Sequence, residues 1–277
     1  MDLGLAGKSV LLIGAGRGLG GAAAVAIAHE TARVAVMARS KTDVEAKAAE
    51  CRRAGARQVL AIAGDATDDA ALKAAVEQTV QEFGGLDALV PLVGGSQPGG
   101  TADLSGADWE AAFARNLWPS VRASRHALPH LIAGAVRRGF EAAHPAQVEP
   151  PKVPREPGVI LHVSSIFGRE GGGSLSYNTA KAALLALAHE QARELAPRGV
   201  RVLSLAPGSI LHPGGSWEKR LEKDPAGTTA FVQREIPFGR FGTAEEVGDV
   251  IAFLVSPRAS WMAGACVVVD GGQSRSF

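Results

Sequence analysis

The chain of 277 residues has only two cysteines, one tyrosine and an aromatic content of 5%. Cys51 and Cys266 stand far apart with no C-x-x-C pair, which argues against a disulfide framework or a cysteine-rich zinc fold and predicts a reducing, cytoplasmic setting. An excess of charge is missing too. The 29 basic and 28 acidic residues leave a net charge of +1 with no long run of either sign, so neither a nucleic-acid footprint nor a polybasic membrane anchor is expected. No apolar run reaches the roughly 18 residues of a membrane span, and "MDLGLAGKSVLLIGAG" lacks the basic-then-apolar order of a secretory leader. What is abundant is small or apolar: 34 glycines beside 46% hydrophobic residues supply a large core and many tight turns. With no break in composition, one domain over 1–277 is expected rather than two.

Short β-branched runs recur at 10–13, 34–37, 59–63, 88–93, 159–163, 200–206 and 267–270. Alanine-rich stretches of helical length lie between them, at about 18–30, 43–54, 69–83, 108–132, 176–196 and 244–255. Apolar strands that alternate with helices, and show little in-out alternation themselves, predict an α/β fold with a doubly wound parallel sheet covered on both faces. The segment 133–158 holds five prolines, and at that length it exceeds the usual αβ connection of about 2–6 residues. It reads as a surface insertion, with a lid or a subunit contact as the functional alternative.

The first strand runs into "IGAGRGLGG", where Gly14, Gly16, Gly18 and Gly20 precede a helix. Glycines at such a junction permit a tight turn and let a pyrophosphate approach the positive end of the helix. The residue meeting the adenosine ribose should follow the second strand, about 20 positions on. There the chain reads "VAVMARSK", with Arg39 and no acid. A guanidinium fork suits a ribose 2′-phosphate, and Arg17 in the glycine loop is placed to face the same group, which favours NADP(H) over NAD(H). Asp65, after the third strand, is read either as an acceptor for the adenine amino group or as the N-cap of the next helix.

Tyr177 and Lys181 in "SYNTAK" lie one helical turn apart. A close ammonium lowers a phenol's pKa from its usual value of about 10, which would make Tyr177 a usable acid and base. The fifth strand ends in "HVSSIFG", so Ser164 and Ser165 sit at the carboxyl edge where open parallel sheets bind ligands. Asn116 is expected in the middle of a helix, where asparagine is a poor former, which hints at another purpose. His126 and His130 have a metal-like spacing, but no third ligand is visible nearby and Pro129 is expected to interrupt their helix, so no metal site is assigned.

These motifs, in this order, make the chain resemble the short-chain dehydrogenase/reductase family. The resemblance runs from "GKSVLLIGAGRGLG" through "SYNTAK" and "LSLAPGSI" to "GRFGTAEEVGDVIAFLVSPRASWMAGACVVVDGG". It implies a seven-stranded Rossmann sheet, a homodimer or homotetramer, and hydride transfer between a nicotinamide and a small carbonyl or alcohol substrate. It further implies a catalytic tetrad of Asn116, Ser165, Tyr177 and Lys181. In it Tyr177 passes the proton, Lys181 lowers its pKa and holds the nicotinamide ribose, Ser165 orients the substrate oxygen and Asn116 holds a relay water. Counting back from Tyr177 can select Ser164, whereas the glycine of "SSIFG" selects Ser165. Cofactor contacts carried over are Gly14, Arg17, Gly18, Leu19, Gly20, Arg39, Asp65, Ala66, Gly94, Tyr177, Lys181, Pro207, Gly208 and Ile210. The C-terminal part is similar to 3-oxoacyl-carrier-protein reductases and to sugar or polyol dehydrogenases.

The chain also departs from the family. Ile13 replaces a threonine before the glycine loop, "PLVG" at 91–94 replaces Asn-Asn-Ala-Gly, and His212 stands where a threonine often holds the carboxamide. Pro91 lacks an N–H and is expected at the last ladder position of its strand or at a bulge. The segment 209–241 is expected to form a lid over the substrate. The "PLVG" and Ile13 departures keep a second class open, a dinucleotide-binding regulator or scaffold; a non-redox lyase or isomerase is the third.

Overall fold

The computed structural model describes residues 2–140 and 156–276. Along the chain run β1 (Ser9–Ile13), α1 (Gly18–His29), β2 (Arg33–Ala38), α2 (Lys41–Arg53), β3 (Gln58–Ala63), α3 (Asp69–Phe83) and β4 (Ala88–Pro91). Then come α4 (Gly106–Asn116), α5 (Trp118–Arg137), β5 (Gly158–Val163), α6 (Leu175–Leu195), β6 (Val200–Pro207) and β7 (Ile210–Leu211). The chain closes with α7 (Ser216–Lys223), α8 (Pro225–Glu235), β8 (Gly242–Thr243), α9 (Ala244–Val255) and β9 (Cys266–Val269).

Seven strands form one sheet in the order β3-β2-β1-β4-β5-β6-β9, and every neighbouring pair is parallel. Each strand sends alternate side chains to opposite faces, and both faces are buried, which is why the strands read as unbroken apolar runs. On one face Val10, Leu12, Val34, Val36 and Val90 pack with Ile27 of α1 and Val247 and Ile251 of α9. On the other, Leu11, Ile13, Met37, Leu89 and Ile160 pack with Leu72 of α3, Leu131 of α5 and Ala188 of α6. Strand order reverses between β1 and β4, so the loops leaving these two strands diverge and open a crevice at the carboxyl edge.

The expected helix over 108–132 is two helices. Leu117 separates them, and Pro119 sits in the first turn of α5, where its missing N–H leaves no bond unmade. Pro129 does not interrupt α5, contrary to the sequence expectation. It is exposed, as is Arg125 four residues earlier, so the carbonyl deprived of its N–H partner can turn to water. The first residues of the proline-rich segment 133–158 complete α5, and its part 141–155 lies outside the described residues. Pro91 ends β4 opposite Ile13, and the Ile13 carbonyl accepts instead from the N–H of Leu92 at 2.8 Å. Among the described residues no helix is long and apolar enough to cross a membrane.

Candidate functional site

Two loops meet at the crevice. Gly14 follows β1 with φ +88°, and a Cβ there would lie 3.0 Å from the carbonyl oxygen of Leu92, after β4. Gly20, in the first turn of α1, has no room either: its Cβ would lie 2.4 Å from the Gly14 carbonyl oxygen. Glycine at these positions lets the turn fold against the helix. The head of α1 has no side-chain cap and no acidic residue in its first turn. The first N–H groups of a helix have no intrahelical acceptor, so this cradle and its donor set fit a phosphate.

Where the sequence places the adenosine ribose, Arg39 is exposed after β2. Asp65 follows β3 and accepts at 2.8 and 2.9 Å from the N–H and hydroxyl of Thr67. Those two bonds, and then the positive charge of Arg39, hold the Asp65 carboxyl below its ordinary pKa. Asp65 is not the helix cap. Asp68 caps α3, accepting from Ala70 N–H at 2.9 Å. Ala66 is buried beside Asp65. Arg17 points elsewhere than Arg39: a Cβ on Gly214 would lie 3.2 Å from its Nη1, so it reaches the loop after β7. On the far side of the crevice Pro207 and Ile210 are buried, and Gly208 is held where a Cβ would strike Asp270 at 2.6 Å.

The four residues expected as a tetrad come together at the ends of β4 and β5. The Ser164 hydroxyl donates to the Lys181 carbonyl at 2.7 Å and so fastens the β5 loop to α6. Ser165 is left free of that contact and lies within reach of Tyr177 of α6, while its Oγ accepts from Phe167 N–H at 3.2 Å. Lys181 is 4% exposed, its Nζ donates to the Val163 carbonyl at 3.0 Å and lies 5.7 Å from the centroid of the Tyr177 ring.

The electrostatics differ from the sequence expectation. Burial raises the Tyr177 pKa, opposed by the hydrogen bond from Ser165, and Lys181 does not lower it. Burial instead pushes Lys181 itself down to about 8, because an ammonium loses its hydration with no carboxylate to replace it.

Asn116 is the last residue of α4 and is 1% exposed. Its Oδ1 accepts from Gly95 N–H at 2.9 Å, while Nδ2 donates to the carbonyls of Gly95 at 3.1 Å and Ala112 at 2.9 Å. A primary amide offers four hydrogen-bonding positions, and three are spent on the protein. A Cβ on Gly94 would lie 2.9 Å from Asn116 Oδ1 and 3.0 Å from Lys181 Nζ, so the β4 loop threads between them. Asn116→Ala should therefore free this loop and cost about 1–3 kcal/mol of stability; an unchanged denaturation midpoint would contradict the bracing role.

Several contacts around the site have no local signal in sequence. Glu170 accepts from the N–H groups of Arg275 and Ser276, each at 2.8 Å, and Gln273 Oε1 accepts from Ser209 N–H at 2.8 Å. Arg275 also lies 3.5 Å from Glu235 of α8. The C-terminal residues thereby tie the β5 loop to the segment 209–241. Within that segment Trp217 stacks on Phe231 at 4.5 Å and tilts on Phe241 at 5.0 Å, with Arg220 over both Trp217 and Phe231. His162 of β5 is fully buried, with Nε2 2.8 Å from Gln191 Oε1. Burial, opposed by the Gln191 bond and aided by the Lys181 charge, pushes its pKa down to about 4. His126 pairs with Asp69 at 2.9 Å, a carboxylate brought in from α3. No group of three metal-ligating side chains occurs among the described residues.

A family model described as enoyl-(acyl carrier protein) reductase matches residues 14–274. The chain belongs to the short-chain dehydrogenase/reductase family. It is 30% identical to 3-oxoacyl-[acyl-carrier-protein] reductase FabG of Thermotoga maritima, covering 97% of this chain and 98% of that one. Among solved structures it is similar to L-sorbose reductase from Gluconobacter frateurii complexed with NADPH and L-sorbose, at a TM-score of 0.86 and 26% identity over the full length of both chains. It is also similar to 7α-hydroxysteroid dehydrogenase complexed with NADH and 7-oxo glycochenodeoxycholic acid, at a TM-score of 0.83 and 26% identity over 99% of this chain and 97% of that one. The family binds a nicotinamide dinucleotide, and this chain is an oxidoreductase of that family.

Proposed function

We propose that this enzyme interconverts a ketone and a secondary alcohol with NADP(H), using Tyr177 as the proton donor and acceptor. The observation that carries the reading is the convergence of Ser165, Tyr177 and Lys181 beside the end of β5, with Lys181 Nζ 5.7 Å from the Tyr177 ring and the uncapped head of α1 across the crevice. The cofactor supplies and accepts hydride when bound.

The chain's own residues do the rest. Ser165 and Tyr177 present two hydroxyls to one substrate oxygen, which fixes the carbonyl and gives its developing charge a donor. Because burial raises the Tyr177 pKa, the phenol is protonated at neutral pH and ready for the reductive direction. Lys181 holds the nicotinamide ribose, and the remaining lone pair of Asn116 Oδ1 receives the water of a proton relay. Residues 209–241 close over the substrate, and the chain acts as a cytoplasmic homo-oligomer.

Preference for NADP(H) rests on Arg39, which stands after β2 where no acid is present to accept from a ribose 2′-OH. The test is a panel of ketones with NADPH and with NADH, followed at the nicotinamide absorbance band. NADPH should be consumed in preference to NADH. Arg39→Asp should reverse the preference by on the order of 100-fold, the effect of losing one charge-assisted contact and adding a repulsion. An unchanged preference would refute the role of Arg39, and tight NADPH binding with no ketone reduced would leave a binding module instead.

A further inference from the structure

His212 is held by a turn built for the purpose. Residues 212–215 read His-Pro-Gly-Gly, Gly215 N–H donates to the His212 carbonyl at 3.0 Å, and Gly214 has φ +73°. Proline second and a positive-φ glycine third define a type II turn, which fixes the backbone on either side of the ring. The imidazole lies against the head of α1: a Cβ on Gly18 would lie 2.9 Å from its Cε1 and 3.1 Å from each ring nitrogen, so the ring covers Gly18 with both nitrogens beside the helix head. From the other direction the Arg17 guanidinium reaches the same turn at Gly214. The loop after β7 thus closes onto the glycine loop through one imidazole and one guanidinium.

The ring has a defined orientation. Nδ1 lies 3.1 Å from the Pro213 carbonyl oxygen, and a carbonyl only accepts, so Nδ1 carries the hydrogen. In the neutral ring Nε2 is then a bare lone pair beside the helix head. In the charged ring it is an N–H donor with a full positive charge. The charged groups in contact with this turn among the described residues are Arg17, at the N-cap of α1, and Glu218, in the first turn of α7, whose carboxylate accepts from Gly214 N–H at 2.6 Å; the other charged side chains of α7, Lys219, Arg220, Glu222 and Lys223, follow Glu218 along the helix.

We propose that His212 and Arg17 clasp the diphosphate of the nicotinamide dinucleotide against the head of α1, and that His212 takes up a proton as the cofactor binds. This rests on the reading above that the chain binds such a cofactor. An anion beside Nε2 meets a repulsive lone pair in the neutral ring and a charge-assisted donor in the protonated one. Histidine is the side chain whose charge changes between about pH 5 and 8. The sign follows: the bound state favours the proton, so affinity is highest at low pH and falls as pH rises.

The experiment is titration of the whole protein with NADPH by its fluorescence, from pH 6 to pH 8, for the natural chain, His212→Gln and His212→Thr. Titration of the cofactor's own 2′-phosphate affects all three alike, so the difference between them isolates the imidazole. Over this range Kd of the natural chain should rise about tenfold more than that of either variant, the size expected of one charge-assisted hydrogen bond. Calorimetry in buffers of differing ionisation enthalpy should show additional proton uptake by the natural chain relative to both variants. Identical pH slopes and identical proton uptake in all three, with NADPH still bound, would overturn the clasp and leave the cofactor reading intact. Failure of the natural chain to bind NADPH or NADH at any pH would overturn both. The ring is only half-buried, and the two variants, one amide and one hydroxyl, guard against a fold defect peculiar to either.

Discussion

Tyr177→Phe is expected to lower turnover by about 10³-fold while leaving the Kd for NADPH within about twofold. In the proposed mechanism the phenol exchanges the proton with a bound carbonyl oxygen, and positioned proton transfer contributes roughly 10²–10⁴ to a rate. Phenylalanine keeps the ring, its packing and its distance from Lys181, so folding and the cofactor cradle at the head of α1 are untouched. The measurement is a single-turnover rate beside a binding titration, and full activity in the variant would sink the proposed mechanism. The direction of the Tyr177 shift adds a second reading. A pKa raised by burial keeps the phenol protonated through neutrality, so ketone reduction should be insensitive to pH there. Alcohol oxidation needs the phenolate and should climb as pH moves into the alkaline range.

Much of this site is legible in the chain itself. The strands and the boundaries of α1, α3, α6 and α9 follow from period and punctuation: Pro197 and Gly199 stop α6, and Pro257 follows α9. The placing of Pro91 at the end of β4 followed from its missing N–H. The break at Leu117 was missed because alanine-rich composition continues across it, and the signal, Pro119 as a helix start, competes with Pro129 as a helix stop. Electrostatics were harder. Spacing says that Lys181 stands one turn from Tyr177, but it carries no information on burial, and it is burial that shifts both pKa values. The choice between Ser164 and Ser165 depends on which hydroxyl is spent on the Lys181 carbonyl and which is left beside Tyr177, a three-dimensional matter that residue counting does not reach. Contacts such as Glu170 with Arg275, 105 residues apart, leave no local pattern at all.

Lys181→Met should give a protein that is more stable and nearly inactive. Lys181 is buried without an opposing carboxylate, and its pKa falls to about 8 from an ordinary value of 10.5. The unfolded chain therefore holds the proton more tightly than the folded one. At pH 7 this amounts to a cost on the order of 3 kcal/mol, since each pKa unit is about 1.4 kcal/mol. Methionine fills nearly the same volume with no charge to desolvate, and it gives up a single hydrogen bond to the Val163 carbonyl, worth about 1 kcal/mol. The net gain of about 2 kcal/mol should raise Tm by several degrees at pH 7. The pH dependence carries the sign. Between about pH 8 and 10.5 the folded lysine has already lost its proton and the unfolded one has not, so the natural chain gains stability as pH rises and the advantage of the variant shrinks. A Tm difference that stays constant across this range would show that Lys181 is not strained by burial. Turnover should fall by about 10²-fold or more, because the proposed contact to the nicotinamide ribose and the cation 5.7 Å from the Tyr177 ring would be lost together. Under the proposed mechanism, such a cost at one buried position is stability traded for the charge that the chemistry would use.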